Sequence, residues 1–549
     1  MNDGGEGDEL TLDESASWWG SRFGRVIDPS GGAAAETIAN ACAWCLHQRA
    51  QGHACLDFEL PVVANSRGSD RVSAHAPRAW LAALASHPRV QQSERGSSDE
   101  TRQLLVLEGT QLFLAACRHS EIVVARQLCA MAREKCLWSI AAAAATSPPD
   151  RAIAAVRRHR LSIITGGPGT GKTTIASRMA DAVLRDHDVE VALIAPTGKA
   201  AKRLESSMRQ RIASHAHDYS QRGRAVLSTL AASTIHAALS ARGGDALARK
   251  RLVIVDESSM IALDLMRKLF ERLDPQSSLV LLGDAHQLAS VEAGSVFADM
   301  LPRAEDVDHP LAGCTVRLTD NYRFPVDGVV ARIAGAVNDG SWEQVESILG
   351  EDPSASVRWH EVTSADETLA ACFDAHRELP ASQILCGHRR GRDGSLAVNR
   401  MLAKRVGKAA NPDPADGEEF EGRPIIVTAN DPVTGLSNGD TGIVRRNSAG
   451  EFEVQIDGTN APLQIAQLPR HEAAYAITIH KSQGSEYPSV IIVLPVNASP
   501  VVTRELLYTA ITRTTGRVLI IATRASLRSA VEQRIHRASG LRARVLRGA

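Results

Sequence analysis

Lys172 and Thr173 close the stretch Gly166-Gly167-Pro168-Gly169-Thr170-Gly171-Lys172-Thr173, which has the spacing of a phosphate-binding loop. Its glycines let backbone N–H groups close around a β-phosphate. The lysine ammonium reaches the β and γ oxygens, and the Thr173 hydroxyl can ligate Mg²⁺. An apolar run, "LSIIT", leads in, and a helical pattern with Ile175, Met179 and Val183 on one face leads out, the context such a loop requires. ATP and Mg²⁺ are therefore the expected cofactors. A second acidic site is expected where "RLVIVDE" ends a strand in Asp256 and Glu257. Asp256 is placed to hold the magnesium and Glu257 to polarise an attacking water as general base, which favours hydrolysis over transfer to a small molecule. "LVLLGDAHQL" adds Asp284 and Gln287 at another strand end, where an amide can bond the γ-phosphate or the water. Arg323 in "DNYRF" and Arg513 in "YTAITRTTGR" are candidates to reach the transferring phosphoryl group across a cleft, a contact that gives ~10³ to 10⁵ in rate. Taken alone, either arginine would equally suit an ion-paired surface.

These residues need rigid strand ends to hold them. After Arg160, short aliphatic runs alternate with amphipathic segments ("LSIIT", "VEVALIAP", "RLVIVDE", "SSLVLLGD"), the signature of a doubly wound parallel sheet. The pattern pauses near Asp320 to Pro325 and resumes in "SQILCG", "RPIIVTAN", "SVIIVLP" and "RVLIIAT". Two α/β lobes in tandem account for this, the first over 150–325 and the second over 326–430 and 471–549. Residues 431–470, with Asn438-Gly439-Asp440 and short alternating strands, are expected to form an inserted small β-barrel. Upstream, residues 1–15 look like a disordered acidic lead. Residues 16–140 are expected to form a mostly helical domain, from patterns such as "ETIANACAWCLHQRA" and "LFLAACRHSEIVVARQLCAMAREKCL". Pro148 and Pro149 are expected to stop a helix at the boundary that follows.

At 549 residues the chain exceeds one compact core. Lys plus Arg (62) nearly cancels Asp plus Glu (63), so no global basic field exists and any polyanion must be gripped locally. Nine scattered cysteines without a disulfide pattern, an acidic start and no long apolar span point to a reducing cytoplasm and away from export or membranes.

In order, GGPGTGKT, "APTGKAAKRL", "STIHAAL", "VDESSM", "LLGDAHQLASV", "DNYRF", "AYAITIHKSQGSEY" and "LYTAITRTTGR" resemble the motif set of superfamily 1 helicases, over about residues 150 to 525. "PTGKAA", "TIH" and "HKSQGSE" resemble the RecD branch specifically. The resemblance implies two RecA-like lobes and an ATP-dependent helicase moving 5′ to 3′. It implies a groove for single-stranded DNA at Thr197, Lys199, His236, Thr478 and His480, and Glu486 near the ribose. The segment "WWGSRF...GHACLDFEL...EGTQLFLAACRHSEIVVARQL" is more weakly similar to the domain that docks this branch onto a partner. That likeness implies a heterotrimer with the beta and gamma subunits of exodeoxyribonuclease V, acting on double-strand DNA ends in recombinational repair. Where the family carries an adenine-reading glutamine, this chain has "PPDRAIAAVRRHR", with Asp150 or Arg151 at the matching place.

Two other readings remain open at this level: a stand-alone RecD-like helicase, and a regulatory subunit whose ATP site only switches conformation. Stand-alone relatives carry longer N-terminal regions with helix-hairpin-helix elements, and an intact Glu257 argues for turnover. Cys42-x-x-Cys45 with His47, His53 and Cys55 suggests zinc, but the segment is helix-patterned and lacks a second pair, so packed thiols are expected. The basic end "HRASGLRARVLRGA" reads as a solvated tail or a partner-facing helix. Outside the ATPase motifs no nuclease cluster of carboxylates and lysine appears, so cutting is assigned to another subunit.

Overall fold

A computed structural model describes residues 14–60, 62–65, 71–74, 78–138, 147–240, 247, 249–306, 308–323, 328–351, 356–410, 419–459 and 461–548. The expected acidic lead lies outside them as far as residue 13.

The first lobe is a six-stranded, all-parallel sheet in the order Thr315–Leu318, Leu161–Gly166, Ser278–Gly283, Leu252–Val255, Val191–Ala195, Ala232–Thr234. Its central strands are apolar at nearly every position because both faces are covered. On one face, helices Pro148–Arg158, Lys172–Leu184 and Gly198–Ser214 enclose Ile164, Leu193, Ile254 and Leu282. On the other, Ile163, Val253 and Leu281 meet helices Leu263–Arg272, Ala115–Arg133 and Leu541–Leu546. Two boundaries thus change. Helix Ala115–Arg133, expected in the N-terminal domain, helps roof the first lobe, and so does the C-terminal helix, expected in the second lobe. Pro148 and Pro149 open a helix instead of stopping one: Ser147 caps it, and the first-turn positions need no N–H donor.

The second lobe is a five-stranded parallel sheet ordered Val357–Glu361, Thr514–Ala522, Tyr487–Val493, Ser382–Cys386, Ala476–Thr478. Helices Val329–Asp339, Trp342–Glu351, Arg504–Ile511 and Arg524–Glu532 cover one face, and Ala365–Glu378 with Ser395–Ala410 lie on the other. The insertion is a five-stranded antiparallel sheet ordered Leu463–Gln464, Phe452–Ile456, Thr441–Arg446, Pro424–Val427, His471–Ala473, with a small core of its own. Its pairings run as an open order among the described residues, with no pairing that closes the expected barrel, and it is wider than 431–470. "RPIIVTAN", read as a strand of the lobe, belongs to it. Ile425 and Val427 enter the insertion's core while Ile426 enters the lobe's, so both sides are apolar, as in a buried parallel strand.

The N-terminal region contains more sheet than expected. A sheet ordered Leu56–Asp57, Gln111–Leu114, Leu105–Glu108, Val90–Ser93 backs onto helices Glu14–Ile27 and Ala33–Ala50. "LFL", taken as helix, is the return strand of a hairpin turning at Gly109, and the helix starts at Ala115. Cys42 and Cys45 are packed in this core, and burial pushes the Cys42 thiol up to about 12. Among the described residues no helix is long and apolar enough to cross a membrane.

Candidate nucleotide site between the lobes

The phosphate loop follows strand Leu161–Gly166 and feeds helix Lys172–Leu184. Gly169 has φ +81°, and a Cβ there would fall 2.4 Å from that of Arg323. Glycine therefore lets the loop turn while the segment carrying Arg323 presses against it. That segment is fixed by backbone and side chain: the Tyr322 N–H donates to the Gly169 carbonyl at 2.8 Å, and the Asn321 amide donates to the Pro168 carbonyl at 3.2 Å. The Lys172 ammonium donates to the Gly166 and Gly167 carbonyls at 2.6 and 3.0 Å, which curls it over the loop.

A cavity of about 310 Å³ opens at the loop, walled by both lobes. Lys172, Thr173, Asp256, Glu257, Gln287 and Arg323 line it from the first lobe, Glu486 and Arg513 from the second. Lys172, Thr173, Asp256, Glu257, Gln287, Arg323 and Arg513 thus meet in one space, whereas Gly166, Gly167 and Thr170 of the loop do not line it. Asp256 is half-buried at its strand end, and desolvation, reinforced by the neighbouring Glu257, pushes its carboxyl up to about 6. Its carboxylate accepts the Glu257 N–H at 2.8 Å. Among the described residues Glu257 is the only non-glycine with positive φ (51°), a cost of order 1–3 kcal/mol that recurs where a side chain must be aimed. Two adjacent half-buried carboxylates lining one cavity with a threonine hydroxyl are a hard-oxygen donor set that a divalent cation would relieve of like-charge repulsion, so Thr173 and Asp256 fit Mg²⁺.

Arg513 is buried, its guanidinium held by the Thr509 carbonyl at 3.1 Å and the Ser485 carbonyl at 3.4 Å. Arg323 donates to the Thr512 carbonyl at 3.3 Å and forms an ion pair with Glu486. Burial, then Arg203 and Arg513, bring the Arg323 pKa down to about 10, which leaves it charged at neutral pH. Glu486, expected near a ribose, is shared between Arg203 and Arg323. Asp284 is buried, accepts the Tyr508 hydroxyl at 3.2 Å across the lobe boundary and lies outside the cavity lining.

A second space of about 390 Å³ shares Gly171, Thr174 and Tyr322 with the first and is walled by Pro148, Pro149, Arg178 and Arg211. It adjoins the phosphate loop through Thr170 and Gly171. Among the described residues no glutamine lines it, and Asp150 accepts a hydrogen bond from the Ser147 hydroxyl.

The DNA candidates are more dispersed, each at or beyond the carboxyl end of a parallel strand, where such sheets form crevices. The Thr197 hydroxyl caps helix Gly198–Ser214 by accepting the Ala200 N–H at 3.2 Å. Lys199 is half-buried, its pKa lowered by burial and partly restored by Asp457 and Asp440 of the insertion. His236 is exposed beyond strand Ala232–Thr234. Thr478 ends strand Ala476–Thr478 and accepts the Lys481 N–H at 3.3 Å, and His480 is held below its usual pKa by burial and Arg537. These five do not line either of the two spaces described above. Sequence reasoning missed Arg203 and Tyr508. Arg203 stands four residues after Lys199 on the same helix face, but that spacing alone gives no sign of a partner on the other lobe.

Two parallel sheets that close a phosphate loop, an acidic pair and arginines from opposite sides into one seam define a motor of superfamily 1 helicase type. Residues 150–352 match the AAA domain family and residues 473–521 the UvrD-like helicase C-terminal domain. The chain is 33% identical over 545 residues to the RecBCD enzyme subunit RecD of Mycobacterium tuberculosis, spanning 93% of this chain and 91% of that protein. It is 35% identical over 515 residues to the RecBCD enzyme subunit RecD of Mycolicibacterium smegmatis, spanning 85% and 87%. Against the ATP-dependent RecD2 DNA helicase of Deinococcus radiodurans it is 31% identical over 367 residues, spanning 65% of this chain and 46% of that protein. The chain belongs to the RecD family of helicases and is an ATP-dependent DNA helicase.

Proposed function

We propose that the chain is the RecD-type motor subunit of a heterotrimeric RecBCD-type complex, an exodeoxyribonuclease V, and moves 5′ to 3′ on single-stranded DNA drawn from double-strand ends. The observation that carries the motor reading is the single cavity to which both lobes contribute charged side chains. Lys172 and the loop amides hold the β- and γ-phosphates, Thr173 and Asp256 hold Mg²⁺, and Glu257 takes a proton from the attacking water, which Gln287 orients. When bound, the cation neutralises charge developing on the phosphoryl oxygens. Arg323 and Arg513 stabilise the same charge from the two sides of the seam, so cleavage changes what holds the lobes together. Thr197, Lys199, His236, Thr478 and His480 then grip phosphates on either lobe without a net basic field. Polarity is tested by unwinding 5′-tailed and 3′-tailed duplexes with the purified chain. Faster unwinding of the 5′-tailed substrate is expected; preference for the 3′ tail overturns the polarity.

Support for a partner comes from the relatives' common name and from helix Glu14–Ile27. That helix exposes Trp18, Trp19, Phe23 and Val26, four large apolar side chains in nine residues. Clustered exposed aromatics mark docking surfaces, and tryptophans carry a large share of interface energy. Changing Trp18→Ser together with Trp19→Ser is expected to abolish co-purification with the beta and gamma subunits while the isolated chain keeps its DNA-stimulated ATPase. Intact trimer on gel filtration would move the docking surface elsewhere.

A further inference from the structure

Arg203 lies on first-lobe helix Gly198–Ser214 and lines the same cavity as Lys172, Asp256 and Glu257. Its guanidinium bonds Glu486 Oε1, the oxygen that also receives Arg323. Both arginines belong to the first lobe and Glu486 to the second, so one carboxylate fastens the lobes at the cavity wall. Two guanidiniums on one oxygen exceed what a single carboxylate neutralises. Around the cavity four cations (Lys172, Arg203, Arg323, Arg513) face three carboxylates (Asp256, Glu257, Glu486), a surplus suited to an incoming polyanion. Burial lowers the Arg203 pKa while Glu257 and Asp256 raise it, and a guanidinium in that position stays protonated.

We propose that Arg203 is a further γ-phosphate-binding residue of the ATP site and that Glu486 is the carboxylate a triphosphate displaces from it. On this reading, which rests on the ATPase assignment above, the γ-phosphoryl oxygens take over the guanidiniums of Arg203 and Arg323. Filling the site then breaks an ion pair between the lobes, and losing the γ-phosphate restores it. Glu486 competes with the nucleotide, the opposite sign from a ribose contact.

The test is equilibrium binding of fluorescent ADP and of a non-hydrolysable fluorescent ATP analogue, with Mg²⁺, to wild type, Arg203→Ala, Arg203→Lys and Glu486→Gln, with thermal melting as a control for folding. Arg203→Ala is expected to weaken the analogue about tenfold with little change for ADP, and Arg203→Lys to recover part of the loss. Glu486→Gln is expected to tighten the analogue severalfold. Equal losses for ADP and analogue in Arg203→Ala, or weaker binding of both in Glu486→Gln, overturn the proposal while leaving the ATPase assignment standing. Should wild type bind neither nucleotide, the ATPase assignment itself fails, and the proposal with it. If Arg203→Ala does not fold, the sign of the Glu486→Gln effect decides alone.

Discussion

Replacing Glu257 with glutamine is expected to lower single-stranded-DNA-stimulated ATP hydrolysis by about 10³-fold while ATP still binds. The expectation rests on backbone as much as on chemistry. Strand Leu252–Val255 is buried at every position and ends in Asp256, whose carboxylate accepts the next N–H. That bond and the left-handed φ of 51° turn Glu257 away from the strand axis, into the cavity that Lys172, Arg323 and Arg513 share. Glutamine keeps the shape, the strain and the reach, and removes only the ability to accept a proton. A loss in kcat with affinity preserved therefore isolates the general base. Steady-state ATPase with and without DNA, paired with equilibrium binding of ATP, separates the two. A variant within about tenfold of wild type would mean the proton leaves by another group. Lys172→Ala should differ in kind: on the proposed assignment its ammonium meets the ground-state phosphates, so affinity should fall as well.

What could be read from the sequence follows how local the chemistry is. The phosphate loop, Asp256-Glu257 and Gln287 sit in contiguous stretches at strand ends, so spacing and flanks placed them. Arg323 and Arg513 needed one further step, that two α/β lobes face each other. Arg203 escaped because its meaning lies in Glu486, 283 positions along the chain, and nothing in "KAAKRL" announces a partner on the other lobe. The insertion's edge was missed for a related reason. Pro424–Val427 has apolar side chains on both sides because two cores use it, and composition cannot tell two small cores from one large one. Glu108-Gly109-Thr110-Gln111 is a tight hairpin, and its glycine was a readable turn signal that the three-and-four periodicity around it obscured.

The basic C-terminal stretch departs furthest from expectation, and it carries the largest effect on stability. Instead of solvating, Arg544 is wholly buried, with its guanidinium on Glu108 at 2.9 Å, Glu121 at 3.3 Å and the Ser97 carbonyl, beside the Phe113 ring. Arg118 completes the group by meeting Glu108 at 2.7 Å, so two arginines and two glutamates balance in charge with no exposed side-chain surface. Glu121 also accepts the Ser539 hydroxyl at 2.9 Å and the Gly540 N–H at 3.0 Å, pinning the turn that leads into helix Leu541–Leu546. A buried ion pair adds little over a well-packed apolar substitute, but removing one partner strands the other charge, at about 3–5 kcal/mol. Arg544→Ala is therefore expected to release residues 534–548 from helix Ala115–Arg133, read as faster amide hydrogen exchange and new proteolytic cutting there. Arg547 on the same segment pairs with Glu94 at the surface, 50% and 82% exposed, so Arg547→Ala should cost no more than about 1 kcal/mol. The double variant Arg544→Met, Glu121→Leu should regain much of the loss, because the stranded carboxylate goes with its partner. If Arg544→Ala exchanges no faster than Arg547→Ala, the buried network does not anchor the C-terminus, and the apolar contacts of Leu541 and Val545 hold it alone.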